Sequence, residues 1–336
     1  MSAPLEIRPL REGDEESLLA TFEAAFGRGL SLETWRWAFR QNPAGTQVQV
    51  ALRGGRVVAQ YAALPNRVWM YGQERVFSQV VDSMVHPDER GGLGRQGTFA
   101  RTARSFFDEH GLGGPGGGEV SMFYGWPVPA NRRIGERLLG YERCGRQLAL
   151  VRALEPGTRD ATRSRASLAD LDVEELSSFD ERALWLWERC APEMGAGTVR
   201  DGAWLLWRYL RHPEHTYSCL GLCDSQGILR GLAVGRAVDH DGKRVALVAD
   251  CIVPSAEPQV GQQLLKALVL KAREWDCETL ALWMPPVSNW FTWFQAQGFA
   301  LRPTPWQRVV RSFDRRVDME FVQTGWWYQL GDSDLV

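Results

Sequence analysis

The sequence predicts an α+β fold of two similar units in tandem, each a mixed, mostly antiparallel sheet flanked by helices. Three observations carry this. Alternating apolar runs are interleaved with segments of helical period, landmarks of the first half return in order in the second, and a stretch without apolar period, Glu155 to Ser167, separates the halves. At 336 residues the chain is long enough for two cores.

In the first half Ile7 to Leu10 reads as a strand, and Asp14 as the cap of a helix with apolar positions Leu18, Leu19, Phe22 and Phe26. A second helix starts at Ser31, with Glu33 in its first turn, and stops at Asn42-Pro43. Val48 to Leu52 and Val57 to Leu64 flank Arg53-Gly54-Gly55-Arg56, a hairpin signal. Val76 to Val85 is a long strand, Thr98 to His110 a helix closed by Gly111, Val120 to Tyr124 a strand, and Asn131 to Leu139 a helix stopped by Gly140. The glycine-rich run Gly111 to Gly118 is expected to be a mobile loop.

The repeat is visible residue by residue. Trp37 to Pro43 resembles Trp207 to Pro213 at an offset of 170, Val81-Asp82-Ser83-Met84-Val85 resembles Ala249-Asp250-Cys251-Ile252-Val253 at 168, and Gly140-Tyr141 resembles Gly298-Phe299 at 158. A period of this size is best read as duplication. The expected organisation is residues 1–155, a linker at 156–167, and 168–336 with a C-terminal extension.

Composition excludes several classes. With 39 Lys+Arg against 41 Asp+Glu the net charge is -2, which forces no nucleic-acid surface. Six cysteines, at 144, 190, 219, 223, 251 and 277, read as buried thiols in a reducing compartment. Cys219 and Cys223 lack neighbours that would complete a metal set, so no metal is expected. No basic segment followed by an apolar run stands at the start, and the longest uncharged window, Thr279 to Leu301, contains Pro285, Pro286 and several amides. No membrane span and a cytoplasmic location are the expectation.

The segment with most chemical content is His86-Pro87-Asp88-Glu89-Arg90-Gly91-Gly92-Leu93-Gly94-Arg95-Gln96-Gly97-Thr98-Phe99, a strand end, a Gly-rich turn and a helix start. Helix N-termini expose unpaired N–H groups at the positive end of the dipole, and glycines let an anion approach that backbone. It matches neither the P-loop nor a Rossmann turn. A plain connecting loop is the competing reading.

This strand, turn and helix, followed by a strand and a helix ending in Gly140-Tyr141, resembles the GNAT (GCN5-related) acyltransferase superfamily. Trp37 to Pro43 and the terminal Trp327 to Asp334 are also similar to a bacterial subgroup of tandem GNAT proteins. The resemblance implies two GNAT-like domains, the first an acetyltransferase or other acyltransferase that binds acetyl-CoA or another acyl-CoA and acylates an amine of a small molecule or peptide. It implies backbone contacts at Val85 and His86, a pyrophosphate cradle within Arg90, Gly92, Gly94, Arg95, Gln96 and Gly97, and a pantetheine contact at Asn131. Two registers of the cradle remain open, Glu89 to Gly94 and Gly94 to Phe99; the second leaves Thr98 to His110 as a helix of suitable length.

An amine must lose a proton before attack and the thiolate leaving group must gain one. Strand alternation places Asp82, Met84 and His86 on one face and Val81, Ser83 and Val85 on the other, making Asp82 the first candidate base. Asp250 at the matching position offers a purely structural alternative. The tyrosine that many GNAT enzymes carry four residues before the Gly-aromatic pair is Glu136 here, so Tyr124 is the substitute candidate acid. The second copy has one glycine, no Arg and an acid, Glu257, where phosphates would lie, and is expected to be a degenerate domain that shapes the acceptor side. Two rivals stay open: a catalytically inactive binding or scaffold protein, and an acyltransferase loaded by an acyl carrier protein.

Overall fold

The computed structural model describes residues 3–90, 94–154 and 172–335; the expected linker at 156–167 and Gly92 lie outside them. The chain forms two compact units: Met1–Val68, Glu74–Arg146 and Trp306–Val322 in the first, and Trp69–Gln73, Gln147–Pro305 and Gln323–Val336 in the second.

The first half runs β1 (Leu5–Pro9), α1 (Glu15–Phe26), α2 (Leu32–Phe39), β2 (Gln47–Arg53), β3 (Arg56–Met70), β4 (Gln73–Val85), α3 (Thr98–His110), β5 (Val120–Gly125), α4 (Pro129–Leu138) and β6 (Glu142–Ala153). This is the order read from the sequence. In the first unit β1 to β4 pair in sequence order, and β4 then pairs β5 in parallel. Helices pack on this sheet in separate cores. Leu18 and Phe22 of α1 and Trp35 and Phe39 of α2 pack on Val50, Val57, Val81 and Met84. Ala103, Phe106 and Phe107, at helical spacing on α3, pack with Tyr61, Phe123 and Tyr141. Each such aromatic contributes about 1.5–3 kcal/mol on burial.

The second half runs β7 (Val173–Glu175), α5 (Glu181–Cys190), β8 (Ala196–Thr198), α6 (Gly202–Leu205) continued by a π turn to Leu210, β9 (Ser218–Cys223), β10 (Leu229–His240), β11 (Lys243–Ile252), α7 (Pro258–Glu274), β12 (Thr279–Leu282), α8 (Asn289–Ala296), β13 (Ala300–Ser312) and α9 (Met319–Thr324). In the second unit β11 is flanked by antiparallel β10 and parallel β12, the arrangement of β4 in the first.

The units do not follow the expected division at 155–168. Val309–Ser312 of β13 runs antiparallel to Met122–Gly125 of β5 in the first unit, where Val309 joins the core with Phe107, Phe123 and Tyr141. Leu150–Ala153 of β6 pairs with Thr279–Leu282 of β12 in the second, burying Leu150 completely. Each unit is thus finished by a strand from the other half of the sequence.

Local readings fare unevenly. Ser31 accepts the Thr34 N–H at 3.0 Å as an N-cap. Asp14 does not cap α1; its carboxylate takes Arg8 at 2.7 and 2.9 Å and the Arg11 N–H instead, because a charged fork outcompetes a neutral amide. Phe26, expected in the core, stays 42% exposed. The Gly111–Gly118 run packs on the end of α3: a Cβ at Gly118 would lie 2.1 Å from the His110 carbonyl carbon, so close approach demands glycine here. Cys144 and Cys223 are half-buried where full burial was expected; the other four are buried. No helix among the described residues is long and apolar enough to cross a membrane.

Burial holds the imidazole of His110 well below its ordinary range, at about 4, and lowers His212 to about 3 and His215 in the same direction. The unfolded chain therefore takes up protons near pH 6.5 that the folded chain refuses until lower pH, so stability falls as pH drops through that interval. Urea midpoints measured from pH 7 to pH 4.5 should decline, and His110→Phe should flatten the decline.

Candidate active site

The parallel register of β4 and β5 ends at Gln79↔Tyr124. Beyond it β4 stays with β3, the His86 N–H bonding the Val58 carbonyl at 2.8 Å, while β5 stays with β13. The two strands part, and a pocket of about 410 Å³ opens in the first unit, lined among others by Ser83, Val85, Arg90, Gly94, Phe99 and Asn131.

At the point of parting Asp82 has φ +48°, a left-handed conformation uncommon outside glycine and costing on the order of 1–3 kcal/mol. It breaks the alternation expected of β4. Val81 and Met84, three apart, share one core, and Val85 joins another with Ala51, Val58 and Ala59. Asp82 is half-buried and its carbonyl accepts from Gln60 Nε2 at 3.0 Å. Tyr124 is 1% exposed; its Oη accepts from Asn66 Nδ2 at 3.3 Å, which directs the phenol proton elsewhere.

The pocket's other wall is the start of α3. Gly97 stands at the N-cap without a side-chain bond, and no acid occupies the first turn, so among the described residues no side chain caps the positive end of α3, whose first residues Thr98, Phe99 and Ala100 line the pocket. Among the described residues nothing requires glycine at position 94: its φ is ordinary and an added Cβ would touch none of them within 4 Å. Open backbone at this point suits a ligand that approaches closely.

The other expected binding residues are placed as follows. The Val85 carbonyl is taken by Arg90 Nε at 3.2 Å, and Arg90 Nη2 reaches the Ala25 carbonyl at 3.0 Å. His86 turns its Nδ1 to the Asp88 N–H at 3.3 Å, so its ring closes the turn at Pro87–Glu89. Gln96 lines a different hollow, about 650 Å³, with Arg101, Arg104 and Asp108 on another face of α3. Arg95 lines neither of these cavities. Ser83, Ala25, Phe26 and Val128 line the pocket and were not anticipated; the half-exposed Phe26 at the end of an amphipathic helix was the available signal. Glu136, at the position of the family's tyrosine, is bound by Arg143 at 2.9 Å on the surface. Burial pushes the Tyr141 phenol up, and Tyr61 too, where burial acts together with the neighbouring Tyr141; the two hydroxyls hydrogen-bond each other at 2.9 Å.

The corresponding region of the second unit is filled. Trp290 donates its indole N–H to the Val253 carbonyl at 2.8 Å, Val253 being the counterpart of Val85. Gln329 accepts from the Cys251 N–H and donates to the Cys251 carbonyl at 2.8 and 3.0 Å. The remaining cavity is about 20 Å³. Gly261, the one glycine of this turn, serves packing: a Cβ there would meet the Trp290 ring at 2.5 Å. At the start of α7 Glu257 is held by Arg189 and by Arg230, the latter at 2.9 Å. Asp250, counterpart of Asp82, is fully buried between Arg200 at 2.9 Å and the hydroxyl of Tyr209.

Comparison with known proteins bears on the fold. Residues 6–109 match the acetyltransferase (GNAT) domain family. Among solved structures, a GCN5-related N-acetyltransferase from Anabaena variabilis ATCC 29413 aligns at TM-score 0.64 and 14% identity over 93% of this chain and 73% of its own. A probable N-acyltransferase of unknown function from Enterococcus faecalis V583 aligns at 0.62 and 13%, over 93% and 73%. A GCN5-related N-acetyltransferase from Kribbella flavida aligns at 0.61 and 16%, over 92% and 71%. No curated protein sequence matches. The chain has the GNAT N-acetyltransferase fold, and the acetyltransferase domain match covers residues 6–109.

Proposed function

We propose that the protein is a tandem GNAT acyltransferase that moves an acyl group from acetyl-CoA or another acyl-CoA to an amine of a small molecule or peptide, with one donor site per chain, in the first unit. The observation that carries this is the contrast between the 410 Å³ pocket beside parted β4 and β5 and the 20 Å³ remnant behind Trp290. An acyl-CoA, when bound, supplies the activated thioester. The pantetheine arm would lie along Ser83 to Val85 and Asn131, and the pyrophosphate at Gly94 and the uncapped start of α3. Arg90 must swing off the Val85 carbonyl for an extended ligand to bond there. Asp82 takes the amine proton, directly or through water, and Tyr124 returns one to the leaving sulfur.

Native mass spectrometry with saturating CoA should show one molecule per chain. Gly94→Trp, which places its ring in open space rather than in the core, should weaken acetyl-CoA binding at least tenfold by calorimetry, about 1.4 kcal/mol. Two molecules per chain, or unchanged affinity in the folded variant, overturn the assignment.

A further inference from the structure

The second unit has a cluster of basic side chains that the proposed acyl transfer does not use. Tyr217 directly precedes β9, and Arg236 follows Gly235, whose partner on β9 is Ser218, so the two side chains meet at the end of one ladder. The Arg236 guanidinium carbon lies 5.7 Å from the Tyr217 ring centre. The rings of His212 and His215 stack at 4.3 Å and 20° and sit 6.0 and 6.5 Å from the Tyr217 ring.

Two of these groups carry unmet hydrogen-bonding capacity. Tyr217 is only 6% exposed, yet among the described residues its hydroxyl has no hydrogen-bond partner and Arg236 Nε is buried without one. Among the described residues Arg236 forms no ion pair. Its surroundings are unfavourable for a cation: burial lowers its pKa, and nearby Arg208 adds repulsion. Arg208 donates to the carbonyls of Gly331 and Ser333. The acids nearby are Glu214, exposed beside His215, and Asp250, which Arg200 and Tyr209 hold. His212 Nδ1 accepts the N–H of Glu214 and of His215, both at 3.2 Å, so its neutral ring carries the proton on Nε2 and can donate. A metal cation is repelled by two arginines.

We propose that this cluster is a binding site for a compact oxyanion, the carboxylate or phosphate group of a small molecule, received by Arg236 and Tyr217 beside the stacked rings of His212 and His215. A buried phenol hydroxyl and a buried guanidinium Nε without partners among the described residues are each costly, and one oxyanion satisfies both.

Thermal unfolding of the full chain in acetate or in inorganic phosphate, each against chloride of equal ionic strength, tests the site. Ligand binding to the folded state raises the midpoint with concentration and saturates with the site. Wild type should respond to at least one of the two anions, and the stronger response identifies the oxyanion. Arg236→Met should unfold no lower than wild type in chloride, because an unpaired charge has been removed, and its apparent anion affinity should fall at least tenfold. Tyr217→Phe should fold and also respond more weakly. The proposal is overturned if wild type responds to neither anion, if Arg236→Met responds like wild type, or if Arg236→Met is destabilised in chloride, which marks a structural arginine. None of these readouts depends on acyl-CoA, so the acyl-transfer assignment stands or falls separately.

Discussion

Asp82→Asn is expected to lower turnover by about 10² to 10⁴, the range of general-base assistance, while leaving acyl-CoA affinity unchanged. The site for this effect is the half-buried Asp82 carboxylate, on the left-handed residue just past the point where β4 leaves β5. Asn preserves the shape and the left-handed backbone, since Asn adopts that conformation as readily as Asp. The loss should therefore fall on kcat and not on folding or binding. Tyr124→Phe provides the complementary reading: it keeps the ring on Trp126 and removes the hydroxyl that Asn66 supports. If Tyr124 returns the proton, the decrement shrinks for acyl donors with a more acidic thiol, which need less protonation to leave. Wild-type turnover in Asp82→Asn would instead give that residue a role in the fold alone.

Arg200→Met should cost about 3–5 kcal/mol, the loss typical of breaking a buried ion pair, a large part of the roughly 5–15 kcal/mol that holds a domain together. Arg200 is fully buried and bridges Asp250 at 2.9 Å and Asp332 at 2.7 Å, under the Trp204 ring at 4.5 Å and the Trp327 ring at 5.2 Å. Removing the cation leaves two carboxylates facing each other in a dry interior. Burial already raises the Asp250 pKa against the pull of Arg200, and the Asp332 charge adds to the rise. Adding Asp250→Asn to Arg200→Met should recover part of the loss, which a urea titration of the single and double variants would measure. No recovery would mean that packing against the tryptophans, and not the charge, is what the arginine supplies.

Asp250 also shows why a repeat can mislead. It matches Asp82 in sequence, yet it sits in a cage of Arg200, Tyr209 and, through Arg200, Asp332, while Asp82 lies half-buried on the strand that borders the pocket. The element order, the Ser31 cap and the limits of α3 were legible because each rests on neighbours within a turn or two. The face of β4 was not: alternation assumes an unbroken strand, and one left-handed residue shifted its phase. The closing of the second cleft was not legible either. Trp290 and Gln329 stand 37 and 78 residues from the carbonyls they satisfy, and nothing local marks them. Glu257 reads from the sequence as an acid in the wrong place for a phosphate; its two arginines, Arg189 and Arg230, belong to other elements.

The strand that β13 lends to the first unit bears on how the protein is made. During synthesis β5 emerges long before Val309–Ser312, its partner, so the first unit waits with the β5 edge of its sheet unpaired while nearly two hundred further residues are added. An unpaired edge of this kind recruits other strands, and contacts this distant in sequence form slowly. A nascent chain paused before Val309 should therefore be the species most dependent on chaperones. Cutting the gene between its two similar halves would make that transient exposure permanent.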